Sequence, residues 1–598
     1  MNKSKAEIKF RMEWDNDIPL CKGVDHLEWK NIPWKHIEKR VFKLQKRIYR
    51  AAKRGDVTVV RKLQKTLMQS WSARCLAVRQ VTQDNKGKKT AGVDGLKSLT
   101  PKQRLTLVKN LRLKGKSKPA RRIWIPKPGK EEKRPLGIPT IHDRALQALA
   151  KLALEPEWES KFEPNSYGFR PGRSCHDAVG QIYLSINKQP KFVLDADIAK
   201  CFDKINHKAL LDKLNTFPTL RRQIKSWLKA GAIDEAQLTP TSEGTPQGGV
   251  ISPLLANIAL HGMKELTKAV SKTACLVRYA DDFVVLDKDI TVVQRCKDTI
   301  EEFLQGMGLE LKPSKTRISH TLHKYEGNVG CDFLGFNIRQ FKVGKCHWSK
   351  YTTGRPRKDG TKKEQRYMDF KTFITPSKEA LKKHTAKVGK IIHEHKNTPQ
   401  AALIKHLNPV IRGWSNYYSC VVSKKTFSKA DSITYQQLRA WAIRRRGRNK
   451  ITKVMKQYFH TVKERSWVFS TREGNNPLRL LTHAETPIVR HKKVVGEKSP
   501  YDGDTLYWSE RMGKYPEVPK RVAILLKAQK GKCAHCGLLF KDGDNWEIDH
   551  IVRTTLGGDD KVKNKHLLHR HCHDYKTARD KQVVGNKELE RYLDQNPF

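Results

Sequence analysis

The alternation of apolar and polar positions predicts two short strands joined by a tight turn at residues 276–286. The segment reads L-V-R-Y-A-D-D-F-V-V-L, in which apolar runs flank a turn that carries Asp281 and Asp282. A second strand pattern, F-V-L-D-A-D-I at residues 192–198, directs its acidic positions to one face and its apolar positions to the other. The predicted core-forming strands therefore have three carboxylates on them or at the turn that joins them, those of Asp197, Asp281 and Asp282.

Adjacent carboxylates at such a turn indicate a bound cation. Like charges this close repel one another, and the pKa of one group rises unless a cation neutralises the pair. Mg²⁺ takes carboxylate oxygens together with substrate phosphates, and Asp197 offers a third carboxylate for a two-metal site. The alternative is an exposed hairpin tip, which is the commoner explanation of an isolated D-D pair. The flanking strand patterns and the second acidic strand favour a functional site.

The N-terminal part of the chain predicts amphipathic helices followed by a charged hairpin. Apolar residues recur at helical spacing over residues 37–52 and 60–71, and the first of these helices has a basic polar face. Residues 121–140 contain two apolar strand fragments around a charged turn, so Lys127 and Arg134 project from its two strands. Arg suits paired phosphate oxygens and Lys acts as a point charge. An ordinary solvated surface is the alternative for both features.

Two loops add polar groups to the candidate site. The sequence T-P-Q-G-G at residues 245–249 offers a fixed amide at Gln247, and Gly248 lets the backbone approach a substrate closely. The sequence L-E-L-K-P-S-K-T at residues 309–316 ends in a basic turn. Through Lys315 this turn can reach phosphates at the acidic site.

The pattern from residue 376 to about 448 is helical and carries aromatic and basic residues. Its candidate nucleic-acid contacts are Arg412, Trp414, Arg444, Arg445 and Arg446. Aromatic rings stack on bases, and arginines meet the phosphate backbone. For each aromatic residue alone, packing in the core of a helix bundle is the more probable role.

Cysteine and histidine spacing near the C-terminus predicts a zinc site. The ligand set is Cys533, Cys536, His569 and Cys572. Two pairs with this spacing suit a closed, tetrahedral structural Zn²⁺ site. His571 competes with His569 for the fourth position. Between and just after the pairs, the chain carries Asp549, His550, Asn564 and His573 in that order.

The charge of the chain limits the classes of partner. Its 598 residues include 119 Lys and Arg against 61 Asp and Glu, for a formal net charge of +58. Such a chain requires a polyanionic partner, and nucleic acid is the first expectation. No apolar run approaches the ~18 residues of a membrane span. The 12 cysteines are mostly scattered through core-like segments, which suits a reducing compartment such as the bacterial cytosol.

The motifs together resemble those of one family. Y-A-D-D at 279–282 resembles the acidic box of a reverse transcriptase palm, and Asp197 matches the first metal-binding Asp of that palm. The whole chain resembles a group II intron-encoded reverse transcriptase and maturase with a C-terminal HNH nuclease domain. The resemblance implies a multidomain α+β protein with right-hand polymerase fingers and palm, a helical thumb, a basic DNA-binding segment and a ββα-metal HNH nuclease domain. The implied domains are a basic helical extension (1–80), fingers and palm (81–360), the thumb or maturase domain (361–454), the DNA-binding segment (455–525) and the HNH domain (526–598).

The resemblance also implies roles for the polymerase residues. Asp197, Asp281 and Asp282 hold two Mg²⁺, and Phe202 lies against the 2′ position of the sugar. The implied nucleotide and template contacts are Lys127, Arg134, Phe202, Gln247, Gly248 and Lys315.

For the nuclease, the resemblance makes His550 the general base and Asn564 the residue that orients its loop. Asp549 and His573 hold one catalytic divalent metal. A zinc knuckle that only binds DNA is the alternative.

The implied function is RNA-templated DNA synthesis from a primer made by nicking target DNA, together with assistance to splicing. The partners are the group II intron RNA, target DNA and dNTPs, with no membrane. Two alternatives are a non-catalytic splicing factor and a DNA endonuclease with a polymerase scaffold. A third is a reverse transcriptase of a retron or a diversity-generating element.

Overall fold

The computed structural model describes most of the chain. The described residues are 28–126, 131–235, 237–343, 349–352, 365–445, 447–462, 464–471, 478–513, 518–541, 544–554 and 557–579. The contacts predicted for Lys127 and Arg446 lie outside these residues.

The described N-terminal part of the chain contains five α-helices and the first hairpin. Its elements are α1 (Trp34–Lys53), α2 (Val57–Gln69), α3 (Trp71–Arg79), α4 (Pro101–Asn110), β1 (Ala120–Pro126), β2 (Lys133–Ile138) and α5 (Ile141–Glu159). The Asp56 side chain caps α2 by accepting a hydrogen bond from Val59 N, and a capping box at Thr100 begins α4. The apolar faces of α1 to α3 pack on α5 and form one core with the back of the next domain.

The central domain contains the acidic strands. Its elements are α6 (Cys175–Ile186), β3 (Phe192–Asp197), α7 (Cys201–Lys204), α8 (His207–Leu214), α9 (Pro218–Lys229), β4 (Ala232–Asp234), β5 (Gln237–Thr239), α10 (Ser252–Ala259), α11 (Met263–Val270), β6 (Cys275–Tyr279), β7 (Asp282–Asp287), α12 (Ile290–Gly306) and β8 (Arg317–His320). Strands β6, β7, β3 and β8 form an antiparallel sheet in that order. The hairpin β1–β2 joins β4 and β5 in a separate sheet.

A small sheet and a helical bundle follow. They contain β9 (Cys331–Phe333), β10 (Phe336–Lys342), β11 (Ser349–Thr352), β12 (Gln365–Met368), β13 (Phe370–Pro376), α13 (Lys378–Glu394), α14 (Gln400–Tyr418), α15 (Lys424–Arg444), α16 (Ile451–Tyr458), β14 (Phe459–Val462) and β15 (Arg465–Phe469). The bundle has its own apolar core.

The C-terminal module is small and also has its own core. Its elements are α17 (Thr505–Met512), α18 (Lys520–Ala528), β16 (Trp546–His550) and β17 (Lys565–His569), and residues 570–579 are helical. Strands β16 and β17 are antiparallel, with Asp549 opposite His566. The predicted multidomain α+β organisation is confirmed, with mixed sheets and helices around several separate cores. Within the described part of the chain, no helix has both the length and the apolar character that crossing a membrane requires.

Candidate polymerase and nuclease active sites

The three palm carboxylates meet at one edge of the central sheet. Asp197 is the last residue of β3 and Asp282 the first of β7, and the two lie opposite each other in the antiparallel register. Asp281 stands in the tight turn between β6 and β7, where Ala280 has a left-handed backbone with φ +57°. The strand–turn–strand pattern read from the sequence therefore brings these carboxylates together.

The electrostatics of this edge favour a cation. Burial, together with the neighbouring Asp281 and Asp197 carboxylates, raises the pKa of Asp282 to about 7. Burial and Asp197 also raise the pKa of Asp281. A divalent cation would remove this repulsion, so the donor set fits Mg²⁺.

Two basic side chains face the carboxylates. Lys315 Nζ lies 2.5 Å from Asp197 Oδ2 and donates a hydrogen bond to it. Arg134 projects from the exposed end of β2 and lowers the pKa of Asp281 against the effect of burial. Basic residues that were predicted from separate segments thus converge on one site.

A buried network that sequence reasoning missed supports the acidic turn. Arg278 is 1% exposed, and its guanidinium donates to Asn257 Oδ1 (3.0 Å) and to the Ala280 carbonyl (3.2 Å). Asn257 in turn donates to the Gly168 carbonyl at 2.8 Å. A Cβ on Gly168 would lie 2.3 Å from Ala280 N, so only glycine allows this approach. No periodicity in the sequence signals contacts between residues so far apart in the chain.

Phe202 lies on the short helix α7, five residues after Asp197, and is half-buried. Its ring stands edge-to-face with Phe169 at a centroid distance of 6.2 Å and an interplanar angle of 81°.

Gln247, predicted to contact the template, donates hydrogen bonds to both carboxylate oxygens of Asp203, at 2.9 and 3.1 Å. Gly248 has φ +114°, and a Cβ there would lie 2.7 Å from Gly137 O. The glycine therefore lets this loop pack on the end of β2.

Two of the four described thumb residues predicted to contact nucleic acid are packed within the protein. Trp414 stacks on His384 with centroids 4.4 Å apart, and it packs against the apolar core that α6, β9 and β10 share. The Arg445 guanidinium donates to the carbonyls of Lys396 and Thr398 and covers the face of Trp441. Arg412 and Arg444 are exposed on α14 and α15. Packing accounts for Trp414 and Arg445, and a nucleic-acid contact stays a prediction for all four.

In the C-terminal module, the predicted nuclease residues share one ββα unit. Asp549 and His550 end β16, and His573 lies in the helical residues 570–579. His573 Nε2 is 3.9 Å from Asp549 Oδ1. His550 Nε2 contacts Asp560 Oδ1 at 3.1 Å. Lys576 Nζ donates to Asp549 Oδ2 at 2.6 Å and to the His550 carbonyl at 2.7 Å.

Asn564 holds the loop that follows His550. Its side-chain amide donates to the carbonyls of Val552 (2.8 Å) and Asp559 (2.7 Å), and its Oδ1 accepts from Val552 N at 2.9 Å. These bonds tie Val552, two residues after His550, to Asn564 and Asp559. The orienting role expected of Asn564 stays a prediction.

The cysteine pairs form a candidate metal centre. Ligand atoms of Cys533, Cys536, His569 and Cys572 all lie within 4.8 Å of one another, and all four residues are buried. Hydrogen bonds from Cys536 and Cys572 hold the pKa of Cys533 far below its ordinary value, which favours the thiolate form that binds metal. Nδ1 of His569 faces Cys536 Sγ at 3.4 Å, while Nε2 lies 3.4 Å from Asp544. Asp544 was not predicted, and it orients the imidazole in the way that a carboxylate behind a zinc ligand does.

His571, the competing ligand in the sequence, points elsewhere. Its Nε2 lies 3.7 Å from Glu38 Oε1 on α1, and its ring lies against Trp34. Glu38 also accepts from Arg79 at 2.6 Å. The zinc knuckle therefore packs on the N-terminal helices through this residue.

In the turn S-Y-G-F-R-P-G-R-S at residues 166–174, both arginines are buried. Arg170 forms a bidentate pair with Glu159 at 2.8 and 2.9 Å and is 4% exposed. Arg173 is 8% exposed and donates to the carbonyl of Lys498 at 3.2 Å. Asp177, just beyond the turn, accepts from Arg511 at 2.5 Å. These contacts fasten the segment before the zinc module to the palm.

Four families match successive parts of the chain. The N-terminal domain of reverse transcriptase matches residues 29–111, and the reverse transcriptase (RNA-dependent DNA polymerase) family matches 125–338. The maturase-specific domain of group II introns matches 381–459, and the HNH endonuclease family matches 533–579.

Curated relatives agree with these matches. Protein YkfC of Escherichia coli (strain K12) is 32% identical over 311 residues, which cover 43% of this chain and 78% of YkfC. The group II intron-encoded protein LtrA of Lactococcus lactis subsp. cremoris is 28% identical over 368 residues, covering 50% of this chain and 60% of LtrA. An uncharacterized 91 kDa protein in the cob intron of Schizosaccharomyces pombe is 28% identical over 376 residues, covering 52% of this chain and 44% of that protein. The sequence matches and the geometry show that the chain belongs to the family of group II intron-encoded reverse transcriptase–maturases with a C-terminal HNH endonuclease domain.

Proposed function

We propose that the protein is an RNA-directed DNA polymerase that binds its group II intron RNA, assists its splicing and nicks target DNA through the HNH domain. Reverse transcription of the intron would then start from the nicked strand. The observation that carries this proposal is the meeting of Asp197, Asp281 and Asp282 at one sheet edge, where the pKa of Asp282 is raised to about 7. A purely RNA-binding protein has no need to maintain such repulsion.

In the polymerase, the primer 3′-hydroxyl attacks the α-phosphate of a dNTP, the new phosphodiester bond forms and pyrophosphate leaves. Two Mg²⁺ bound by the three carboxylates would lower the charge on the attacking and leaving oxygens. We assign binding of the triphosphate to Arg134, Lys315 and Lys127. Phe202 excludes a 2′-hydroxyl, while Gln247 and Gly248 contact the template strand and the nascent pair.

In the nuclease, His550 takes a proton from the water that attacks the scissile phosphate. Asp549 and His573 hold one divalent cation, which would stabilise the leaving 3′-oxygen. Asn564 fixes the loop beyond His550, as its hydrogen bonds to Val552 and Asp559 support. Hydrolysis leaves a 3′-hydroxyl, which is the group that the polymerase extends.

The remaining assignments concern the domains and their partners. We assign Zn²⁺ to Cys533, Cys536, His569 and Cys572, and intron RNA or target DNA to the exposed Arg412 and Arg444 and to Arg446. The domain limits we propose are 1–80, 81–360, 361–454, 455–525 and 526–598. None of the described cysteines is joined in a disulfide, which supports a reducing compartment.

Primer extension by the purified protein tests the proposal. An RNA template with an annealed DNA primer, Mg²⁺ and dNTPs should give full-length product with wild type and none with Asp281→Ala. The matched control is Asp332→Ala, which removes an exposed carboxylate of β9. No synthesis by a folded wild-type protein that still binds intron RNA would favour the non-catalytic splicing factor.

A further inference from the structure

Phe169 is an exposed aromatic residue between two buried neighbours in the turn that supports the polymerase site. Its exposed fraction is 52%, while Gly168 and Arg170 are buried. An isolated exposed apolar residue needs no explanation by itself. Here, however, Gly168 lies against Ala280 of the acidic turn, so the exposed Phe169 ring stands outside the core close to that turn.

The backbone at Phe169 is strained, and its neighbours hold it in place. Its φ is +58°, a conformation that a residue with an aromatic side chain rarely adopts. On one side, Gly168 lies against Ala280 N and accepts a hydrogen bond from Asn257. On the other, the Arg170 guanidinium is fastened to Glu159 by two hydrogen bonds. Strain that persists because the surroundings determine it is found at functional sites.

The ring held in this way touches one catalytic-site residue directly. Phe169 and Phe202 have centroids 6.2 Å apart and planes at 81°, the edge-to-face arrangement that aromatic pairs prefer. Phe202 follows Lys200, which also has a left-handed backbone with φ +43°. Phe202 therefore stands on a sharp bend, and its outer face is braced by a ring from a separate segment.

We propose that Phe169 is a positioning residue for Phe202 and thereby sets how strictly the polymerase excludes ribonucleotides. The inference rests on the proposed function, in which Phe202 lies against the 2′ position of the incoming sugar. With Phe169 in place, the Phe202 ring cannot turn aside to admit a 2′-hydroxyl. Without it, the ring gains rotational freedom and the sugar pocket widens.

The test is the ratio of kcat/KM for dTTP to that for UTP in single-nucleotide extension on an RNA template. Phe169→Ala should lower this ratio about fivefold, the size of one aromatic pair contact. The loss should come from better use of UTP, with kcat for dTTP nearly unchanged. Phe169→Tyr keeps the ring edge and should retain the wild-type ratio.

A second variant separates loss of the ring from misfolding of the protein. Phe169→Asn removes the ring with a residue that tolerates a left-handed backbone, so its thermal stability should equal or exceed that of wild type. Its dTTP to UTP ratio should nevertheless fall as in Phe169→Ala. The matched control is Phe341→Ala, which removes a 43% exposed ring in an edge-to-face pair with Phe373 at 5.7 Å on β10 and should leave the ratio unchanged.

A double variant shows whether Phe169 acts through Phe202. Phe202→Val should lower the ratio by more than Phe169→Ala does, and the combination should equal Phe202→Val alone. Additive losses, or equal losses for dTTP and UTP in Phe169→Ala, would overturn the inference. A lowered ratio in Phe202→Val with no change in Phe169→Ala would overturn it while leaving the proposed function intact. A wild-type protein that makes no DNA would overturn the proposed function itself.

Discussion

The polymerase and nuclease sites differ in how many carboxylates share one position, although each holds an aspartate against a lysine. Asp197 is paired with Lys315 at 2.5 Å, and Asp549 with Lys576 at 2.6 Å. In the palm, two further carboxylates lie beside the pair, and the pKa of Asp282 rises to about 7 because of burial and these neighbours. In the nuclease, burial opposes ionisation, but the hydrogen bond and charge of Lys576, together with His566 and His573, lower the pKa of Asp549.

This difference indicates how strongly each site requires a metal ion. Lys315 and Arg134 do not offset the repulsion of three carboxylates, since the pKa of Asp282 is still raised, and divalent cations would remove that repulsion. The single nuclease carboxylate is already neutralised, and a metal ion must compete with the Lys576 ammonium. We therefore expect the palm to bind metal in the free protein and the nuclease to bind it more weakly.

The largest expected effect is the loss of one activity, primer extension or nicking, while the other remains. Asp281→Asn should lower primer extension by at least about 10³-fold, since it removes a metal ligand of the transition state, and should leave nicking unchanged. His550→Ala should do the opposite. Both activities are measured on the same protein preparations with labelled DNA substrates. Loss of primer extension in a folded His550→Ala protein would show that the two sites are not independent.

Removing the zinc centre should be the next largest effect. Structural zinc contributes about 10 kcal/mol or more to the folding of small domains, so Cys536→Ser should unfold the C-terminal module. Metal analysis should show loss of bound zinc, and nicking should disappear while primer extension remains. Cys275→Ser, a half-buried cysteine outside the cluster, is the control and should retain its zinc. Retention of zinc by Cys536→Ser would contradict the assigned ligand set.

The pH dependence of Mg²⁺ binding tests the raised pKa of Asp282. A carboxyl whose folded-state pKa is raised contributes stability while protonated, and this contribution is lost as pH rises from about 4 through about 7. Mg²⁺ binds the ionised form, so its stabilising effect should grow over the same range. The Mg²⁺-induced increase in Tm should be larger at pH 8 than at pH 6.

The Asp282→Asn variant provides the control for this measurement. It should show a small Tm increase that is nearly the same at both pH values, because the titrating group is gone. An equal pH dependence in wild type and Asp282→Asn would assign the effect to another group.

The smallest expected effect concerns the nuclease lysine. Lys576→Met removes the competing ammonium with little change in side-chain length, so Mn²⁺ should bind Asp549 about three- to tenfold more tightly, or about 1 kcal/mol. Calorimetric titration in an Asp281→Asn, Asp282→Asn background isolates the nuclease site. Adding Asp549→Asn should abolish the binding. Weaker binding in Lys576→Met would mean that the lysine helps the metal rather than competing with it.

The carboxylates of the candidate polymerase site could be found from the sequence because a local pattern positions them. Strands β3 and β7 are short apolar runs, and the tight turn before β7 carries Asp281 next to Asp282. The residues of the candidate metal centre could be found for a similar reason, since the spacing within each pair is typical of metal ligands. The order of Asp549, His550, Asn564 and His573 indicated the candidate nuclease site.

Contacts between distant segments could not be read in this way. Asp544 behind His569 and Asn257 between Gly168 and Arg278 depend on how the domains pack, and neither has a local signature. Arg170 and Arg173 show the same limit, because their charge alone does not reveal that they are buried. Their guanidinium groups instead satisfy buried acceptors, because a buried turn leaves carbonyl and carboxylate oxygens that only long donors can reach.

The packing of the zinc knuckle on α1 has a practical consequence for anyone who wishes to produce the polymerase by itself. Removing the C-terminal module would take His571 from Trp34, Lys541 from the ring of Phe42 and Asn545 from the Asp84 carbonyl. The truncated enzyme would present two aromatic rings and the acidic Glu38 to solvent, on a surface that evolved to be covered. Polar replacements at Trp34 and Phe42 are therefore the first substitutions to combine with such a truncation.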